Sequence, residues 1–122
     1  MVTKADAPLD TKDRLSIRLR LADAHDIERT FRWQTEPDSR KYFRNPAVPT
    51  LNEHQAWFEK ALADPSIRLN IVLHRDEPVG IVRLDYEGRA EIFEISILLD
   101  SSVRGKGIGL AALKAAEVTV PP

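Results

Sequence analysis

Apolar and polar positions alternate in the first regular stretch of the chain, where Leu15, Ile17, Leu19 and Leu21 are separated by Ser16, Arg18 and Arg20. A period of two predicts a strand buried on one face. Asp23 follows where a helix N-cap belongs, and Ile27 and Phe31, one turn apart, mark the buried side of a helix reaching to about Gln34. Glu36, Pro37 and Asp38 break that helix. Ser39 to Phe43 predicts a short helical piece before Asn45, Pro46 and Pro49 enforce a loop. Thr50 and Glu53 have capping-box spacing and start a helix to about Ala63, with His54, Trp57, Phe58, Ala61 and Leu62 on one face.

The period then returns to two. Ile67, Leu69, Ile71 and Leu73 alternate with Arg68, Asn70 and His74, predicting a strand with one apolar face. Arg75 to Pro78 reads as a turn, and Val79 to Glu87 as the returning strand. Gly88 closes a second turn into a strand over residues 92–99, nearly every second residue of which is apolar. Two consecutive hairpins give an antiparallel meander, so the expected class is α+β. Residues 1–14 are polar and aperiodic and read as a flexible leader to one domain over 15–122.

The last strand runs into Arg104-Gly105-Lys106-Gly107-Ile108-Gly109 and then Leu110 to Glu117, whose Leu, Ala, Lys and Glu favour a helix. Glycines at 105, 107 and 109 permit positive φ. A tight glycine turn at a helix start collects backbone N–H groups without helical partners at the positive end of the helix dipole, which suits a phosphate. Arg104 and Lys106 add positive charge. The glycines also serve if they only make a sharp connection. A P-loop needs Ser or Thr after its lysine, where the chain has Gly107, and the dinucleotide fingerprint needs glycine at 110, where it has Leu110.

Composition narrows the chemistry. The 122 residues are 43% hydrophobic, enough for a single core. A net charge of −1 gives no reason to expect nucleic acid or an acidic membrane surface as a partner. No cysteine occurs, which removes disulfides, thiolate catalysis and cysteine-ligated zinc. His25, His54 and His74 lack ligand spacing, so no metal is expected. No signal peptide or long apolar span is present, and the expected location is the cytoplasm.

The run Arg104-Gly105-Lys106-Gly107-Ile108-Gly109 after a strand ending at Leu98, Leu99 and Asp100 closely resembles the acyl-CoA signature R/Q-x-x-G-x-G/A of the GNAT superfamily of N-acetyltransferases. Arg104 matches its basic position, and Gly107 and Gly109 its two small positions. The likeness covers about Ser16 to Glu117 and includes the order of elements. It implies a GNAT fold, acetyl-CoA as co-substrate and a small-molecule amine as acceptor.

By the same resemblance, backbone groups of Leu98 and Leu99 pair with the pantetheine arm. Those of Arg104, Gly105, Lys106, Gly107, Ile108 and Gly109 hold the pyrophosphate. An N–H near Leu99 polarises the thioester carbonyl. Glu94, which interrupts an apolar strand at a position expected to be partly buried, is the candidate base, with Glu91 second. Arg32, Trp33 and Tyr42 lie where the family's acceptor elements fall, and His54 is either an acceptor contact or a packed, hydrogen-bonded histidine. The segment 32–43 resembles the GNATs that acetylate nucleotide-linked amino sugars, with ribosomal-protein N-terminal acetyltransferases as the competing subgroup. A GNAT domain normally continues after this helix with a fifth strand, so a C-terminally incomplete domain is expected. Its exposed strand edge could be closed by a second copy, or the chain could bind CoA as an interaction module without turnover.

Overall fold

The computed structural model describes residues 16–37, 48–86, 93–105 and 107–119, with the side chains of Phe93 and residues 117–119 outside that description. The expected leader, the helical piece at 39–43 and the turn at Gly88 lie outside the described residues.

The strands are β1 (Ile17–Leu21), β2 (Ile67–His74), β3 (Glu77–Tyr86) and β4 (Phe93–Leu99). They form one antiparallel sheet in the order β1-β2-β3-β4. The β2–β3 turn is only Arg75 and Asp76, both at positive φ (52° and 67°), which is the twist a two-residue hairpin requires. Glu77 and Pro78 therefore belong to β3, not to the four-residue turn the sequence suggested; they oppose His74 and Leu73. Arg18 of β1 pairs with Asp76 across this end of the sheet.

Helices cover both faces. Helix α1 (Ile27–Thr35) and helix α2 (Leu51–Ala63) lie on one, and α3 (Ile108–Thr119) on the other. Under α1 and α2, Ile27, Phe58, Ala61 and Leu69 form one cluster, and Trp33, Ile71 and Leu73 form its neighbour. On the opposite face Ile108, Ala112 and Ala116, at i, i+4 spacing, lay a stripe of mostly small side chains against Val72, Val82 and Leu84. β2 is therefore buried on both faces from Leu69 to Leu73, where its alternation predicted one apolar face. Asn70 is the residue that made it look half-polar, and it too is buried.

Three further expectations are corrected. Leu21, predicted to face the core, is 67% exposed at the end of β1. Trp57 and Leu62, at the margin of the α2 stripe, stay partly open while His54, Phe58 and Ala61 are buried. Asp23 caps a 3-10 turn at Ala24–Asp26 before α1 begins. Its carboxylate accepts from the His25 N–H at 2.8 Å, and Asp26 accepts from the Asp23 N–H at 2.9 Å. The capping box of α2 forms as predicted. Thr50 Oγ1 accepts from the Glu53 N–H at 3.1 Å, and Glu53 Oε1 from the Thr50 N–H at 3.0 Å.

Candidate functional site

The site is built where β4 ends. Asp100 N donates to Val79 O at 2.8 Å, so the N–H of Asp100 points toward β3. Because successive residues of a strand direct their N–H and C=O groups to opposite sides, those of Leu99 point away from β3, toward the side of β4 on which no described strand lies. Arg104 occupies part of that side, with Nη2 donating to Leu99 O at 3.2 Å.

A 3-10 turn at Ser101–Val103 then lifts the chain off the sheet. Asp100 fixes this turn, accepting from Ser102 N at 2.9 Å and Ser102 Oγ at 2.8 Å. Its other oxygen accepts from Trp33 Nε1 at 2.9 Å, and Ser101 N donates to Glu36 Oε2 at 3.2 Å. The C-terminal end of α1 is thus tied to the loop by two bonds. Burial pushes the Asp100 pKa up, but the Ser102 and Trp33 donors together with the charge of Arg32 outweigh it, and the carboxyl titrates below its ordinary range.

Gly105 and Gly107 stand at φ 78° and 80°, and a Cβ at either would meet nothing within 4 Å. The two positions need the left-handed backbone while the space above them is open. α3 follows at once, its first helical bond running from Ala111 N to Gly107 O at 3.2 Å. The N–H groups of Ile108, Gly109 and Leu110 therefore have no helical acceptor and face the loop at the positive end of the helix. An open turn with glycine at 105 and 107, leading into N–H groups without a helical acceptor, fits a phosphate or pyrophosphate. Gly109 differs from its two neighbours. Its φ is not positive, and a Cβ there would touch Leu99 Cδ1 at 3.5 Å, an ordinary contact. Lys106 lies outside the described residues.

The acceptor candidates separate. Arg32 is exposed and Trp33 is 1% exposed, its indole turned to Asp100 rather than to solvent. Tyr42 and Glu91 lie outside the described residues. His54 is 3% exposed, with Nε2 2.9 Å from Thr30 Oγ1 and ring contacts to Phe31, Trp57 and Phe58. Burial lowers its pKa against a weaker opposing pull from the Ile27 carbonyl. Glu94 shares a sheet face with Ser96 and Leu98 and sits opposite Asp85. It is exposed, where partial burial was expected, because β4 has a described neighbour on one side only.

Two residues with roles here carried no warning in the sequence pattern. Gln34 and Arg83 line both of two adjoining cavities, each of about 230 Å³. The first also takes in Glu53, His54 and Trp57. The second reaches Ser96, Ile97 and Leu98 of β4, so the two cavities share Gln34, Trp57 and Arg83 and extend to the residue before Leu99. Arg83 pairs with Asp85 at 2.9 Å and lies 5.3 Å above the Trp57 ring. Among the described residues no group of three or more His, Asp or Glu is placed to hold a metal ion. No described helix is long and apolar enough to cross a membrane.

These features define a helix-flanked antiparallel sheet that joins a backbone anion cradle to a groove through a single edge strand. The chain belongs to the GNAT acetyltransferases: the family model described as Acetyltransferase (GNAT) domain matches residues 16–118. Among solved structures it is similar to the aminoglycoside acetyltransferase AAC(6')-Ib in complex with ribostamycin and coenzyme A, at 24% identity and a TM-score of 0.73. That match covers 86% of this chain and 66% of the other. An acetyltransferase from Thermus thermophilus gives 21% identity, a TM-score of 0.74 and coverage of 87% and 70%. Spermidine N-acetyltransferase from Vibrio cholerae in complex with CoA and spermine gives 18% identity, a TM-score of 0.71 and coverage of 84% and 62%. The chain thus spans about two thirds of the length of these structures. No curated protein matches it by sequence.

Proposed function

We propose that this chain is an acetyl-CoA-dependent N-acetyltransferase acting on a primary amine. The observation that carries the reading is the placement of the glycine cradle. Gly105 and Gly107 open onto the N-terminal N–H groups of α3 within a few residues of an edge strand whose Leu99 N–H and C=O face outward. A pyrophosphate on the cradle leaves a pantetheine arm to run along β4 as an added strand, bringing the thioester to the groove beside Leu98.

In the transfer itself the neutral amine forms a bond to the acetyl carbonyl carbon, the C–S bond breaks, and the amine proton passes to a base, while the thiolate leaves and takes up a proton. The Leu99 N–H is the proposed donor to the oxyanion. Glu94 stands on the groove face of β4 and is the proposed base, working through water because it is exposed. The neighbours whose structures hold coenzyme A, one with an aminoglycoside and one with spermine, support an amine acceptor. The nucleotide-linked amino sugars implied by the sequence resemblance are the finer reading of that acceptor. The unpaired side of β4 also accommodates a second copy of the chain, which the solution mass tests.

Calorimetric titration with acetyl-CoA, followed by detection of free thiol with an amine panel, tests the function. Micromolar binding with thiol release only when an amine is present is expected. Absence of binding by folded protein overturns it.

A further inference from the structure

The outer edge of β4 is partly covered by the chain itself. Arg104 Nη2 donates to Leu99 O at 3.2 Å, from the side of β4 on which no described strand lies. An unpaired strand edge invites pairing with other chains, and a cationic donor laid on its carbonyl blunts it. The same contact works against a ligand. A thioester arm that runs along β4 as an added strand needs the Leu99 carbonyl for its own amide N–H, and the guanidinium stands in its path.

Arg104 is held by its backbone between two places that suit a guanidinium. Its N–H reaches back to Ser101 O at 3.5 Å, closing the 3-10 turn that Asp100 anchors. Behind it is the Leu99 carbonyl. Ahead of it are Gly105 and Gly107, at φ 78° and 80° with nothing within 4 Å of a Cβ, and the N–H groups without helical acceptors that open α3. The side chain is only half-buried, so a change of rotamer carries it from one place to the other without disturbing the core. The two acceptors are unequal. A neutral carbonyl takes one ordinary bond, whereas a phosphate oxygen pair takes the planar fork of a guanidinium with two charge-assisted bonds.

We propose that Arg104 makes the edge of β4 selective for a thioester that brings a diphosphate with it. Without a phosphate partner the guanidinium covers the Leu99 carbonyl. A diphosphate seated on the N–H groups of α3 draws it away, and the edge opens to the arm of the same molecule. A thioester that lacks the phosphates must displace the arginine without offering it a new partner, so it is refused at the step of binding. Arg104 is then a residue that sets donor choice by linking the two halves of one ligand, and by thermodynamic linkage each half strengthens the binding of the other. The inference rests on the acetyltransferase reading for the statement that the arm carries an acyl group.

The test uses the two halves separately. Pantetheine, which has the arm and no phosphate, is titrated into isotope-labelled wild-type protein with and without saturating inorganic pyrophosphate, and the backbone amides of β4 are followed by NMR. Pantetheine is expected to bind about 3- to 10-fold more tightly when pyrophosphate is present. Arg104→Met keeps an unbranched apolar stem and removes the donors. Pantetheine should bind this variant about as tightly as it binds pyrophosphate-loaded wild type, pyrophosphate should bind it more weakly, and the coupling between the two should vanish. A residue that only supported the loop would lower both affinities together. Wild type that binds CoA yet shows no coupling, or weaker pantetheine binding by folded Arg104→Met, overturns this inference alone, and the wild-type coupling decides by itself if the variant does not fold. Folded wild type that does not bind CoA overturns the acetyltransferase reading and this inference with it.

Discussion

Trp33 donates its indole N–H to Asp100 at 2.9 Å, across 67 residues of sequence, and the same carboxylate holds the first turn after β4 through Ser102. The neighbouring residue, Gln34, lines the groove. One turn of α1 therefore touches both halves of the site. Trp33→Phe removes the donor while keeping an aromatic ring in the core, and a hydrogen bond to a charged group contributes about 1.5–3 kcal/mol. CoA affinity is expected to fall about 10-fold, with pantetheine, which lacks the pyrophosphate, much less affected. Calorimetry with both ligands makes the comparison; equal losses would show that Trp33 only supports the core.

The glycines of the loop should separate into two behaviours. Gly107→Val forces a β-branched residue into φ 80° and should abolish measurable CoA binding, because strain of about 1–3 kcal/mol is relieved by reshaping the cradle. Gly109→Ala meets only Leu99 Cδ1 at ordinary contact distance inside a helix, and should keep CoA binding within about 2-fold and leave Tm level or slightly raised. Parallel titrations and thermal melts read both.

Asp26 is completely buried, and Arg20 approaches it with two bonds of 2.8 Å while Arg29 lies at 3.4 Å. Burial raises its pKa, but the Arg20 bonds, the Asp23 N–H and the two arginine charges more than reverse this, so it titrates below 3.8. A depressed carboxyl pKa contributes stability that is complete above the unfolded value and is lost as pH falls through the folded one. Asp26→Ala should lower stability by about 3 kcal/mol at pH 7, since it leaves the guanidinium and the turn N–H without their partner. The deficit relative to wild type should shrink in melts below pH 4.

His54 acts in the same direction but at higher pH. Its folded pKa is lowered from 6.5 by burial, so between that value and the folded pKa the unfolded chain binds the proton and the folded chain does not. Stability should therefore be full above pH 6.5 and decline as the solution is acidified below it. His54→Gln, which cannot titrate, should flatten that part of the profile; denaturant midpoints from pH 7.5 to 5 are the measurement.

Most of the frame could be read from periodicity. The four strands, their antiparallel order and the Thr50 cap depend on short-range patterns and formed close to where the pattern placed them, although β3 begins two residues early, at Glu77, and of the three loop glycines only Gly105 and Gly107 take positive φ. The groove was far less legible. Gln34 and Arg83 sit on polar positions of ordinary amphipathic elements, and only the folding of α1 over β3 brings them to one cavity. The burial of Asp26 could not be read at all, because the alternation of β1 says nothing about Arg20 reaching back to it. Glu94 was expected to be partly buried on the face opposite Ile95 and Ile97, but β4 has a described neighbour on one side only and the residue is exposed.

The pleat of β4 divides the site into two sides. Ile95, Ile97 and Leu99 pack toward α3, the helix that follows the cradle, whereas Ser96 and Leu98 face the groove. Adjacent residues of one strand thus belong to different faces of the sheet. On the acetyltransferase reading, a substitution at Ser96 or Leu98 would alter the groove while leaving the α3 face of β4 untouched, and the bond from Trp33 to Asp100 is the seam between the two.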